Sequence, residues 1–300
     1  MSFKPDAEAA LVRGLSAVVR ALPPPAAVRL GSWLGDGVAA LGIRAKVARA
    51  NLTLAFPELD QAARDRILRA HYQELGRVAC EYPRLPELIN DRRCDPVAEV
   101  EGEEHLLALK ALDMGAVVLT AHYGNFELCG AWATHWNPVD FVVKPLSNPG
   151  VDAWANAMRR RTGVGVIPLG PSIRNIYSAI KQKHWIALLA DQDAGRDGVF
   201  VPFFGRLAST PRGPAELAVR LGIPVLMGFV ERRPDGRHRF IATPAMWPRT
   251  DVEDPVWELT ARHAAMLEAR IRQRPELWFW LHRRWKTPPP DAATARHTEG

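Results

Sequence analysis

The sequence predicts an α/β fold: a mixed central sheet flanked by helices, with an N-terminal helical segment in front of it. Three observations carry that reading. From about residue 97 onward, short unbroken apolar runs alternate with stretches of helical periodicity, the pattern of a sheet covered on both faces. Ahead of residue 90 the apolar residues recur only at helical spacing. The composition, 47% hydrophobic and 24% charged over 300 residues, supplies a real core and excludes a disordered or fibrous chain.

In chain order, Leu11, Leu15, Val18, Val19 and Leu22 fall on one helical face, and Pro23, Pro24 and Pro25 end that helix. Leu30, Trp33, Leu34, Val38 and Leu41 mark a second helix. Residues 1–50 hold seven Lys or Arg against three Asp or Glu, so most of the net charge of +6 lies there, interleaved with apolar faces. A basic amphipathic helix suits the surface of an anionic membrane, and it equally suits a helical pair packed on a core. The two are compatible when one face packs and another meets lipid. Residues 61–90 read as a further helical stretch ending near Glu81, Tyr82 and Pro83. Strands are expected at 116–121, 141–143, 164–167, 185–190, 225–230 and 239–243. Helices at 126–136, 152–161, 173–180, 214–221 and 254–274 alternate with them. The expected organisation is a membrane-associating helical unit over 1–50, an α/β domain over 51–286 and a disordered tail over 287–300.

Charge and cysteine usage bound the function class. The positive excess points to an anionic partner: nucleic acid, phospholipid head groups or a phosphorylated substrate. Cys80, Cys94 and Cys129 form no CxxC pair, which argues against a disulfide framework or a zinc site and for a reducing compartment. The longest run without Asp, Glu, Lys or Arg is 13 residues, 114–126, whereas a membrane-crossing helix needs about 20. Lys4, Asp6 and Glu8 exclude a secretory signal at residues 1–10. Trp278, Trp280 and Trp285 stand among His282, Arg283, Arg284 and Lys286, a mixture that membrane interfaces and nucleic-acid binders both use. No nucleic-acid motif accompanies it, so nucleic acid is not expected as a partner.

The sharpest chemical signal is His122-Tyr-Gly-Asn-Phe-Glu127, directly after the strand predicted at 116–121. Open α/β sheets place functional groups at such strand ends. With His122 in the turn and Glu127 in the first helical turn, the carboxylate is expected to fold back onto the imidazole. It would fix the ring's tautomer and raise the basicity of the other nitrogen, which then deprotonates a hydroxyl. Gly124 permits the tight backbone this requires. The plainer reading is a histidine beside a helix start whose dipole Glu127 stabilises. No GxSxG, HExxH or complete GxGxxG occurs, so a histidine base without a protein nucleophile points to direct transfer onto a bound hydroxyl.

Further blocks accompany this motif: residues 51–58 (NLTLAFPE), Glu81, 144–149 (KPLSNP), Arg159 and Arg161, 191–193 (DQD), 198–205 (GVFVPFFG), 208–210 (AST) and 275–286 (PELWFWLHRRWK). Together with His122 to Glu127, and in this order over about residues 25 to 287, they make the chain similar to the lipid A biosynthesis lauroyl/myristoyl acyltransferase family. The resemblance implies acyl transfer from acyl carrier protein or coenzyme A to a hydroxyl of a glycolipid, at the cytoplasmic face of the bacterial inner membrane. It implies His122 as base and Glu127 as its orienting partner, with no metal and no cofactor beyond the thioester co-substrate. Asn125, Lys144, Arg159, Arg161, Asp191 and Asp193 become the expected substrate-binding set. Arginines at 159 and 161 either bind acceptor phosphates and the oxyanion or simply favour a helix C-terminus. Asp191 and Asp193 either hold those arginines or cap their turn. Lys144 stands where many members carry arginine; it keeps the charge and loses the bidentate fork. The apolar run at 199–204 is either a buried sheet edge or part of the acyl-chain wall, with core packing the plainer reading for Phe203 and Phe204. Two other readings share these residues: an acyltransferase for another lysophospholipid, an aminolipid or a phosphoinositol mannoside, and a peripheral lipid-binding protein without turnover.

Overall fold

The computed structural model describes residues 3–90, 96–170 and 173–290; Cys94 and the last ten residues of the expected tail lie outside them. Five helices come first: α1 (Phe3–Ala21), α2 (Pro24–Ala40), α3 (Ala45–Ala55), α4 (Gln61–Glu81) and α5 (Leu85–Asn90). The alternating part follows as β1 (Val97–Glu101), α6 (Glu103–Ala111), β2 (Ala116–Thr120), α7 (Phe126–Ala133), β3 (Val139–Val143), α8 (Pro149–Arg160), β4 (Gly165–Pro168), α9 (Ile173–Lys181) and β5 (Trp185–Leu189). A hairpin, β6 (Val199–Phe203) and β7 (Arg206–Thr210), interrupts it before α10 (Gly213–Leu221), β8 (Val225–Arg232), β9 (His238–Ala242) and α11 (Pro255–Gln273).

Seven strands form one sheet in the order β1-β9-β8-β2-β5-β3-β4. Every neighbouring pair is parallel except β8 with β9, so the sheet is mixed, as the sequence predicts. β2 lies between β5 and β8 and is buried along its whole length. Its alternate residues serve two cores: Val117 and Leu119 pack on one face, Ala116 and Val118 on the other. That is why its sequence reads as an unbroken apolar run.

Several elements depart from the sequence reading. Helices α3 and α6 and strands β1 and β7 match none of the ranges expected from the sequence, and α3 runs through residues 50 and 51, where a division of the chain is expected. The apolar run from Val199 is not an edge strand of the main sheet, and Phe203 and Phe204 join the core, as the plainer reading expects. The run pairs antiparallel with β7 in a separate two-stranded sheet, and Phe203 and Phe204 are buried against Trp278 and Trp280.

The five-residue stripe of α1 also divides. Ala9, Ser16 and Val19 are buried, and Val19 packs with Ala27 and Cys80, whereas Leu11, Leu15 and Val18 stand 62%, 57% and 59% exposed. α2 lies against α4 backbone to backbone. A Cβ on Gly76 would come within 1.9 Å of the Gly31 carbonyl oxygen, and one on Gly35 within 2.2 Å of that of Tyr72. Thr287, where the tail is expected to start, is still held: its N–H and hydroxyl both donate to Asp193, at 3.1 and 2.8 Å.

Candidate active site

Adjacent parallel strands β2 and β5 end side by side, and each carries a polar side chain two residues past its end. From β2 comes His122; from β5 comes Asp191. Imidazole Nδ1 lies 2.9 Å from Asp191 Oδ1, and the His122 backbone N–H donates to Oδ2 at 3.0 Å. The indole N–H of Trp278 reaches the same Oδ2 at 2.9 Å. In the neutral ring, a carboxylate acceptor at Nδ1 favours the tautomer protonated there and leaves Nε2 its lone pair. The Gln192 side-chain amide stands 3.4 Å from that nitrogen. The His122 ring packs edge-on against Phe126, with centroids 5.2 Å apart. Gly124 is required next to it: its φ is 53°, and a Cβ there would lie 2.1 Å from the Val230 carbonyl oxygen.

Electrostatics follow from this geometry. Burial disfavours the imidazolium, but the charge and hydrogen bond of Asp191, with the nearby Glu127, outweigh it and hold the His122 pKa above its ordinary value. Burial likewise pushes the Asp191 carboxyl up, and the His122 charge, the two His122 bonds and the Trp278 donor more than reverse it, leaving Asp191 below the usual range.

Glu127 does not fold back onto the ring as expected. Both of its oxygens are taken by Arg159, one from Nε at 3.0 Å and the other from Nη2, in a bidentate pair whose carboxylate is almost wholly buried. The reason is geometric: a guanidinium fork matches a carboxylate edge, and Asp191 has already filled the Nδ1 position. Arg159 Nη1 donates in turn to Asn156 at 2.9 Å. Asn125 is likewise spent on structure: its side-chain oxygen caps α7 by accepting the Leu128 N–H at 3.0 Å, and its amide donates to Glu81 at 2.8 Å. Glu81 is buried and doubly bonded to Arg232, which also holds Glu74, so the start of α7 is braced against α4 and β8.

Asp191 and Asp193 hold neither arginine. Asp191 serves His122, and Asp193 accepts from Gly195 and Thr287. His282 is a structural partner, its Nε2 accepting the Asp193 N–H at 3.1 Å. Lys144, just past β3, and Arg161, just past α8, are both exposed; the Arg161 carbonyl caps α8 by accepting from Asn90. The structure therefore gathers His122, Glu127, Asn125, Arg159 and Asp191, and leaves Lys144, Arg161 and Asp193 outside that cluster. Gln192 and Trp278 belong to it without having been expected. The only sequence signal for them was their place inside the blocks at 191–193 and 275–286.

An apolar cleft adjoins the cluster. Phe126, Cys129 and Gly130 of α7 form one side of it, and Val118, Phe141, Val143, Leu188 and Leu189 of β2, β3 and β5 the other. Glu127 and Arg159 are the charged residues lining it. Gly130 and Phe141 meet in its lining: a Cβ on Gly130 would lie 2.2 Å from the Phe141 ring.

Comparison with known proteins agrees with this architecture. A family model described as bacterial lipid A biosynthesis acyltransferase matches residues 6–287. The chain is 30% identical over 283 residues to a lipid A biosynthesis lauroyltransferase of Escherichia coli, covering 92% of this chain and 90% of that one. A palmitoleoyltransferase of lipid A biosynthesis from the same organism is 28% identical over 272 residues, with 89% and 87% covered. A phosphatidylinositol mannoside acyltransferase of Mycolicibacterium smegmatis is 26% identical over 238 residues, with 77% and 76% covered.

Proposed function

The chain belongs to the bacterial lipid A biosynthesis acyltransferase family and is an acyltransferase; on that premise we propose that it moves a fatty acyl chain from a thioester, carried by acyl carrier protein or coenzyme A, to a hydroxyl of a lipid A precursor. The observation that carries this reading is the His122–Asp191 pair at the edge of an apolar cleft. His122 Nε2 takes the proton of the acceptor hydroxyl as its oxygen attacks the thioester carbonyl. Asp191 holds the productive tautomer and stabilises the imidazolium that forms. The tetrahedral intermediate collapses by breaking the carbon–sulfur bond, and the imidazolium returns the proton to the departing thiolate. The Gln192 amide, a neutral donor 3.4 Å from the reacting nitrogen, serves the oxyanion. The alkyl chain lies in the cleft beside Phe126, and the Glu127–Arg159 pair closes its polar end. Written this way, the reaction needs no metal and no cofactor besides the thioester.

Lys144 and Arg161 are offered to an anionic head group. The exposed Leu11, Leu15 and Val18, with Trp33, Leu34 and Leu41 of the α2 region, seat the protein peripherally on the cytoplasmic leaflet. No helix among the described residues is long and apolar enough to cross a membrane. The mannoside relative makes a phosphoinositol mannoside the second acceptor class to assay. The test is transfer from a dodecanoyl carrier-protein thioester to a lipid A precursor, followed by mass spectrometry. Product is expected with the native chain and is expected to fall about 10²–10⁴-fold with folded His122→Ala. Near-native turnover by that variant would refute the assignment of the base.

A further inference from the structure

Several blocks singled out in the sequence take no part in the reaction as written: Asn51 and its neighbours, the Ser209–Thr210 pair, and residues 275–286. In the structure they meet one another. After α11 the chain crosses the ends of β2 and β5 and touches both site loops. Leu277 accepts the Gly124 N–H through its carbonyl at 2.9 Å, and the Phe279 N–H donates to the His122 carbonyl at 2.9 Å. Between them, the Trp278 indole N–H donates to Asp191 Oδ2 at 2.9 Å, and that ring is 2% exposed. Farther along, Thr287 closes on Asp193, two residues past Asp191.

The segment is itself clasped from outside the site. Asn51 of α3 donates to the carbonyls of Trp280 and His282, at 2.7 and 2.6 Å. Arg284 is buried and donates to the Ser209 carbonyl and, at 2.6 Å, to the Thr210 hydroxyl of β7.

From these contacts we infer that residues 277–287 form a strap that aligns the His122–Asp191 pair, with Trp278 as a positioning residue. The inference rests on the reading of His122 as base. His122 and Asp191 lie on loops that follow different strands, so their 2.9 Å contact depends on both loops being held in one frame. A carboxylate offers two equivalent oxygens. Its ability to keep Oδ1 on the imidazole depends on donors that occupy Oδ2: the His122 N–H and the Trp278 indole N–H. Removing the indole donor frees the carboxylate to turn and mixes the two neutral tautomers of His122. Only the tautomer protonated on Nδ1 presents a lone pair from Nε2 to the substrate.

The test uses the full chain as native protein and as Trp278→Phe, Thr287→Val and Asp191→Asn. Kinetics are measured with a dodecanoyl carrier-protein thioester and a lipid A precursor, and the His122 tautomer by ¹⁵N-histidine NMR. Trp278→Phe keeps an aromatic ring in the same space; kcat is expected to fall about 10- to 100-fold with KM unchanged, as misplacement of a reacting group costs. The Nε2-protonated tautomer should appear with it. Thr287→Val, at the half-exposed end of the strap, should move the same two readouts in the same direction and by less. It keeps the question answerable if the Trp278 variant does not fold.

Unchanged kcat and tautomer in both folded variants overturn the strap. So does a loss carried by KM with the tautomer intact, since that is a substrate-binding or merely structural effect. Asp191→Asn separates this from the underlying reading: if it leaves kcat and tautomer native, the base–carboxylate pair is wrong. If it impairs both while the strap variants do not, only the strap falls.

Discussion

At the residue scale, the chemistry turns on which carboxylate reaches His122. Glu127 is five positions away in sequence and spends both oxygens on Arg159; Asp191 is far away in sequence and lies 2.9 Å from Nδ1. The pH behaviour follows. Native His122 is held above its ordinary value of 6.5. Its pairing therefore adds stability that is full below 6.5 and is lost as pH rises through the folded value. With His122 as the proposed base, activity runs the opposite way, because only the neutral imidazole accepts a proton. The acid limb of kcat/KM should therefore lie above pH 6.5 in the native enzyme. Asp191→Asn should shift that limb downward and lower kcat by about 10²–10⁴-fold through loss of the productive tautomer. A pH–rate series on the two proteins checks both effects. Asp191, held below its ordinary 3.8, contributes in the reverse sense: its share is present above that value and lost as pH falls through the folded one.

At the element scale, the decisive contact is α2 on α4. Gly31, Gly35 and Gly76 let the two backbones meet with no side chain between them. The same α4 carries Glu74 and Glu81 to Arg232 of β8, and Glu81 to Asn125 at the cap of α7. Widening the first contact should therefore loosen the brace behind the site. Gly76→Ala places a Cβ 1.9 Å from a carbonyl oxygen. Overpacking of this kind typically costs about 1–3 kcal/mol, and here it meets backbone, which cannot swing aside. Denaturant unfolding should show a lower midpoint for Gly76→Ala, and Gly37→Ala, which has open space around it, should show none of that loss.

At the scale of the whole molecule, one region leaves large apolar side chains in solvent beside most of the excess charge. Leu11, Leu15 and Val18 of α1 stand outside the core, and Trp33, Leu34 and Leu41 are 71%, 52% and 78% exposed. Full burial of such side chains is worth roughly 1.5–3 kcal/mol each, and partial insertion less. Nearby cations add about 1 kcal/mol each at an anionic surface, a share that salt screens. Binding to anionic vesicles should therefore be reversible and weaken with ionic strength. Replacing Leu11, Leu15 and Val18 by Ser should reduce co-sedimentation with phosphatidylglycerol vesicles while thermal stability changes little. Equal sedimentation by the triple variant would exclude α1 as the contact.

Much of this protein was legible in the order of its residues. Helical spacing before residue 90 and continuous apolar runs after 97 placed most of the helices and strands, though not α3, α6, β1 or β7, because both patterns depend on near neighbours along the chain. The strand-end position of His122 and the turn that Gly124 allows were equally local facts. What only the tertiary structure decided were the pairings. The adjacency of β2 and β5 put Asp191, not Glu127, on the imidazole and left Glu127 to Arg159. The return of residues 277–287 across both strand ends put Trp278 on that carboxylate. The stripe of α1 divided because its neighbours, not its periodicity, chose which apolar residues to cover. Helical and strand periodicity describe a segment's own geometry, whereas a hydrogen bond between residues dozens of positions apart is set by which strands become neighbours.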